Sequence, residues 1–268
     1  MFDLNEVSFR YPDAAALCGV TLSIAARQRI ALLGANGSGK STLLRLLDGL
    51  AFAESGTITF NGKCLTSAQF EEEAFAFDFR RRVALVFQNP DVQLFNPTVF
   101  DELAFAPLQL RWPNDEIRAR IADLLQTMGL AHLAERAPHR LSEGEKKRVA
   151  LASVMITQPD VLLLDEPTAS LDPRSRNFMI EYLLDCRGRR TVITATHDLH
   201  ILEEIADYCF VLHEGRLVAA GAPNELLADE KLLRETGLVH AHRHRHEGGV
   251  VHSHPHDHHS PSGAHRHS

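Results

Sequence analysis

RIALLGANGSGKSTLLRLLDGL, residues 29–50, changes character twice in 22 residues. Its first five residues, RIALL, are a short apolar run bounded by Gly34, the pattern of a buried strand. Leucines at 43, 44, 46 and 47 then follow the i, i+3, i+4 spacing of a helix, with Gly49 near its end. Between them GANGSGKST (34–42) fits GxxxxGK[ST] in the strand–turn–helix context that a phosphate-binding loop requires. Gly34, Gly37 and Gly39 let the backbone wrap closely around phosphates, and the amides of Asn36, Ser38 and the helix start favour an anion. Lys40 reaches the terminal phosphates, Ser41 offers its hydroxyl to a magnesium ion, and Thr42 continues the helix.

VLLLDEP (161–167) supplies the matching carboxylates. An apolar strand that ends at Asp165 places an acid beside the loop, where it holds Mg²⁺ through water. Glu166 comes one residue further, placed to polarise an attacking water as general base. The remaining pattern alternates strands with helices. Strands are predicted at 4–10, 56–62, 81–88, 161–165, 191–196, 208–213 and 216–220, the last two joined at Glu214-Gly215. Residues 91–156 read as helical. An amphipathic stretch runs from Asp115 to Met128, and Ser142 with Glu145 forms an S-x-x-E capping box. Another helix begins near Pro173, and 223–235 is a short helical stretch. This predicts an α/β fold with a mostly parallel sheet and an inserted helical subdomain at about 91–156.

Composition narrows the classes. The chain has 268 residues, 44% of them hydrophobic and 24% charged, with a formal net charge of −7. That charge gives no general reason to bind nucleic acid or an anionic membrane. Cys18, Cys64, Cys186 and Cys209 are scattered, so reduced thiols are expected and not a disulfide framework. The start, MFDLNEVSFRYPD, lacks a signal peptide's apolar run, and no stretch is long enough to span a bilayer, so a cytosolic chain is expected.

LSEGEKKRVALA (141–152) makes the reading specific. With the loop and strand motifs in this order, it resembles the signature of the ABC ATPase superfamily over about residues 1–235. The resemblance implies an antiparallel N-terminal β region beside the P-loop core. It also implies a role for Tyr11 in stacking on adenine, for Gln88 as the Q-loop residue near Mg²⁺ and the attacking water, and for Ser170-Leu171-Asp172 as the D-loop. His197 stands where the family's switch histidine contacts the γ-phosphate. Two such domains would sandwich two ATP molecules, in a homodimer or a heterodimer; the chain carries every motif needed for two equivalent sites, which favours the homodimer. Ser142, Gly144 and Glu145 of one copy would meet the nucleotide held by the other. Glu143 and Glu145 depart from the family's LSGGQ, and a carboxylate near a γ-phosphate is repulsive. Glu143 is therefore expected to point away, and Glu145 to accept from the ribose or cap its helix.

VFQNPDVQLFNPTVFDELAFAP (86–107) is similar to a segment of the energy-coupling-factor ATPases, which drive vitamin and cobalt or nickel uptake. That likeness implies docking on a transmembrane coupling subunit, which holds a membrane substrate-binding subunit. It implies a place on the cytoplasmic face of the bacterial inner membrane. Leu94 and Phe95 are the expected apolar docking pair. Of the chain's 16 histidines, 11 lie between 240 and 267. The segment 240–268 has almost no large apolar residue, so disorder is expected there. His240, His242, His244, His246, His252, His254, His256, His258 and His259 are candidate ligands for Ni²⁺, Co²⁺ or Zn²⁺. The tail and the resemblance together point to nickel or cobalt uptake. The alternative is vitamin uptake with an incidental or buffering tail. A soluble DNA-repair or translation ATPase would carry a coiled-coil insertion or tandem halves, and neither is present.

Overall fold

The computed structural model describes residues 1–245 and 251–256, with side chains described through residue 239. Strand β1 (Phe2–Tyr11) pairs antiparallel with β2 (Ala14–Ile24) across a two-residue turn. β3 (Arg29–Leu33) leads through the glycine loop into α1 (Lys40–Leu47). β4 (Ser55–Phe60) returns to pair with β1 and β5 (Lys63–Cys64) pairs with β4, which makes a four-stranded antiparallel sheet in the order β2-β1-β4-β5. Two helices, α2 (Ser67–Glu71) and α3 (Glu73–Arg82), precede β6 (Val83–Val86). The helical insertion holds α4 (Val99–Gln109), α5 (Asn114–Thr127) and α6 (Glu143–Met155). The chain then alternates β7 (Val161–Asp165), α7 (Pro173–Asp185), β8 (Thr191–Thr196), α8 (Leu202–Ile205), β9 (Tyr208–His213) and β10 (Arg216–Gly221). α9 (Pro223–Ala228) and α10 (Glu230–Glu235) follow.

The second sheet runs β10-β9-β3-β8-β7-β6. Its strands are parallel except β10, which is the hairpin partner of β9. Every residue of β3, β7 and β8 is buried, as expected of a sheet covered on both faces. Alternate residues serve two cores. Ala31, Leu33, Leu162 and Leu164 face the side packed by α4, α5, α6 and α7. Ile30, Leu32, Val161 and Leu163 face α1 and the antiparallel sheet. Because the strands are parallel, the loops after β3, β6, β7 and β8 emerge at one edge, where ligands bind in such sheets.

Two expectations need correction. The predicted strand at 81–88 is shorter, because Arg81 and Arg82 end α3 and β6 stops at Val86. Gln88 therefore does not end a strand; it lies exposed in the following loop. The backbone of β11 (His240–Arg245) pairs antiparallel with β12 (Val251–His256), His240 opposite His256 and His242 opposite His254. The histidine-alternating sequence HAHRHR suits a period of two. His246, His258 and His259 lie outside the described residues, and so do the side chains of the other tail histidines.

Candidate active site

The loop between β3 and α1 closes on itself through glycine. A Cβ on Gly34 would collide with the Leu212 carbonyl and the Ser38 side chain, and one on Gly39 would stand 2.6 Å from the Ala16 carbonyl. Both residues have positive φ, 154° and 107°. Larger residues fit neither place. Lys40 is 6% exposed and curls back over the loop, donating through Nζ to the carbonyls of Gly34 (2.6 Å) and Ala35 (3.2 Å). Burial holds its pKa below the usual lysine value, against the pull of Glu166 and Asp165. Its ammonium is thus a desolvated cation held next to an anion cradle.

Asp165 ends β7 beside this loop and is buried. Burial raises its carboxyl above the ordinary range, and the Ser41 hydroxyl bond opposes that shift. Its Oδ1 has no hydrogen-bond partner, and neither does the buried Ser38 Oγ. Orphaned buried oxygens next to a cationic loop fit a hydrated Mg²⁺ and a phosphate. Glu166 follows with φ 47°, a left-handed conformation unusual for a residue with a side chain. Its amide donates to the Ala195 carbonyl at 2.9 Å, which ties the turn to β8. Its Oε1 lies 2.8 Å from His197 Nδ1 and 3.8 Å from Lys40 Nζ.

Lys147 is a site residue that the sequence did not single out. It is buried on α6 and donates to the carbonyls of Glu166 (3.2 Å) and Ala169 (2.6 Å), pinning the loop after β7. Nothing in its KKR context marks it, because its burial depends on the packing of α6 against that loop. A cavity of about 310 Å³ opens there, lined by Glu166, Thr168, Ser170, Arg176, His197 and Asp198. Asp198 pairs with Arg176 at 2.7 Å. Asp172 caps α7, accepting from the amides of Arg174 and Ser175.

Tyr11 sits at the rim, 37% exposed. Its hydroxyl is 3.4 Å from Thr42 Oγ1 and accepts from Arg45 at 3.1 Å, and Phe9 meets its ring edge-on at 5.1 Å. The structure thus brings Tyr11, the glycine loop, Asp165, Glu166 and His197 to one edge. Gln88 is in the adjoining loop, where no polar contact ties it to Asp165 or Ser41 among the described residues. Ser142, Gly144 and Glu145 start α6. Ser142 and Glu145 bond to each other, and Glu143 is exposed.

A second surface lies after β6. Val92 and Phe95 are each 67% exposed, and Phe95 meets Phe105 edge-on at 5.0 Å. Leu94, the other half of the expected pair, instead packs partly into the core. The loop is held firmly. Gln93 Nε2 donates to the Ala150 carbonyl (2.8 Å), Asp91 pairs with Lys146 (2.7 Å), and buried Glu102 accepts from the amides of Phe95 and Asn96.

A covered parallel sheet with this loop and these strand-end acids defines a P-loop nucleotide hydrolase. Residues 17–169 match the family model described as ABC transporter, and the chain belongs to that family. It is similar to the nickel import ATP-binding protein NikO of Rhodobacter capsulatus, 55% identical over 242 residues, 89% of this chain and 95% of that protein. The energy-coupling factor transporter ATP-binding protein EcfA of Methanothermobacter thermautotrophicus is 40% identical over 240 residues, 89% of this chain and 76% of that one. Among solved structures, cbiO1 of Clostridium perfringens, part of the ABC transporter complex cbiONQ, superposes with a TM-score of 0.74 at 36% identity. That match covers 88% of this chain and 94% of the other. This chain is the ATP-binding subunit of an ABC importer, an ATPase whose hydrolysis is coupled to transport.

Proposed function

We propose that this ATPase powers uptake of nickel or cobalt ions. The observation that carries the proposal is the 55% identity to a nickel import ATP-binding protein along nearly the whole of both chains. The histidine-rich segment from 240 adds imidazole donors that favour such ions. In this reading the tail collects or senses the ion near the transporter. Vitamin uptake is the competing assignment, favoured by the likeness to the energy-coupling factor protein.

Two copies close around two ATP molecules. Each γ-phosphate is held by Gly37, Gly39 and Lys40 of one copy and met by Ser142 and Gly144 of the other. Mg²⁺ held by Ser41, Asp165 and Gln88 would neutralise phosphate charge. Glu166 takes a proton from the attacking water, and His197 orients the carboxylate and faces the γ-phosphate. Val92, Phe95 and Phe105 form the apolar face that meets a transmembrane coupling subunit, itself holding a membrane substrate-binding subunit. No helix among the described residues is long and apolar enough to cross a membrane. Attachment to the cytoplasmic face of the inner membrane is then through that partner, and nucleic acid has no part.

Reconstitution with the membrane subunits in vesicles, with ATP inside or out, tests the assignment. ATP-dependent uptake of Ni²⁺ or Co²⁺, with none of a panel of vitamins, is expected. Vitamin uptake without metal uptake would overturn it.

A further inference from the structure

The first turn of α6 is internally occupied. Ser142 Oγ donates to Glu145 Oε2 at 2.8 Å, and the Ser142 amide donates to the same oxygen at 2.8 Å. The Glu145 amide returns a bond to Ser142 Oγ at 3.4 Å, completing a capping box. A serine hydroxyl has one proton, so Ser142 has given away its only side-chain donor. Both bonds hold the Glu145 carboxyl below its ordinary pKa range, with smaller contributions from Arg148 and Arg136. The group therefore stays charged at neutral pH.

The helix start is packed closely against the first turn of α7. Gly144 is buried, and a Cβ there would collide with the Ser175 side chain and stand 3.2 Å from Asp172 Oδ2. Glu143 adds a second carboxylate to the same turn. A helix N-terminus attracts anions, but two carboxylates in its first turn oppose that attraction.

We infer that Glu145 is a positioning residue that opposes closure of two copies around ATP, by holding the Ser142 hydroxyl proton and by placing a negative charge where the γ-phosphate arrives. The inference rests on the reading that ATP closes a dimer. For Ser142 to donate to phosphate, its hydroxyl must leave Glu145, and the carboxylate then faces the phosphate with only the Ser142 amide to offset it. Closure carries this opposition twice, once per signature helix. The chain stays open until ATP is abundant, and reopens readily once the γ-phosphate is lost.

Glu145→Gln tests the charge alone, because glutamine at the third helical position still completes the capping box. Glu145→Ala removes cap and charge together. The measurement is dimer mass by light scattering against ATP concentration, in a Glu166→Gln background that holds the closed form, at low and high salt. Adding Glu145→Gln is expected to lower the ATP midpoint by about three- to tenfold at low salt, the scale of a charge at a helix terminus. The gap should narrow at high salt, because screening weakens a charge effect but not a cap. With Glu166 intact, KM for ATP should fall in the Glu145→Gln chain. A midpoint unchanged or raised by Glu145→Gln, or a gap indifferent to salt, overturns the inference. If the Glu166→Gln parent stays monomeric in saturating ATP, the dimer reading fails and this inference with it.

Discussion

The carboxylate of Glu166 is bonded to His197, Oε1 to Nδ1 at 2.8 Å, across the ends of two adjacent parallel strands. The same oxygen stands 3.8 Å from the Lys40 ammonium. One carboxylate thus links His197 and Lys40, the two side chains that the proposed function sets beside it at the terminal phosphate. It does so because β7 and β8 are in register, Asp165 beside Ala195, and because the Glu166 amide is tied to the Ala195 carbonyl. In the proposed function a phosphate entering the loop would take over Lys40 and leave the Glu166–His197 pair to position water.

Lys40→Ala is expected to abolish ATP binding, since it removes the buried cation of the loop. Binding of a fluorescent ATP analogue checks this. Affinity equal to that of the unaltered chain would mean that the glycine loop is not the phosphate site.

Asp207 anchors the start of the strand that carries the loop. Arg29, 2% exposed, donates to both Asp207 oxygens (2.7 and 3.2 Å) and to the Glu204 carbonyl (2.8 Å). Asp207→Ala should cost about 2 kcal/mol, the scale of a charge-assisted bond lost with its partner left buried. The Arg29 bonds depress the Asp207 pKa, so this stabilisation is complete above the ordinary aspartate value of about 3.9 and fades as pH falls through the folded value. Urea melts should therefore show the same gap between variant and parent at pH 7 and pH 5, shrinking only in stronger acid. A gap that already vanishes at pH 5 would contradict this.

Much of this geometry is legible in the residues, and the exceptions have physical causes. The glycine loop and the apolar strands at 29–33, 161–165 and 191–196 are visible because their chemistry is local. β2 was not, since its first half, AAALCG, carries neither alternation nor β-branching, and only its pairing with β1 makes it a strand. In α3, Phe75, Phe77 and Phe79 alternate like a strand. Phe75 and Phe79 are nonetheless one helical turn apart, buried with ring centroids 6.0 Å apart, while Phe77 is exposed. Lys147 was invisible because its role depends on a tertiary contact with two carbonyls distant in sequence.

Val92→Asp together with Phe95→Asp should leave ATP binding intact and abolish ATP-driven uptake in reconstituted vesicles. Both side chains are exposed, so the change buries no charge, while a coupling subunit would have to desolvate one. Uptake at the parent rate would remove this face from the docking surface; loss of nucleotide binding would assign the pair to folding.

Deleting residues 240–268 should leave ATP binding and basal hydrolysis within about twofold, because a terminal segment contributes little to the core. Among the described residues the β11–β12 ribbon forms a two-stranded sheet of its own. Among the described residues no group of three histidine, cysteine or acidic side chains suits a metal ion. Titration calorimetry with Ni²⁺ should therefore lose most of its signal in the truncated chain. In the full chain the signal should fall as pH drops through about 6.5, where free imidazole takes up a proton and cannot ligate. Equal Ni²⁺ binding by the truncated chain would move the metal site into the ATPase domain.

Phosphate release from ATP by the purified chain, compared between Glu166 and Glu166→Gln, tests the site most directly. ATP binding should be unchanged and turnover lowered by about 10² or more, the scale of a lost general base. The variant should accumulate with ATP uncleaved. Turnover near that of the unaltered chain would place the base elsewhere and contradict the catalytic role given to the Glu166–His197 pair.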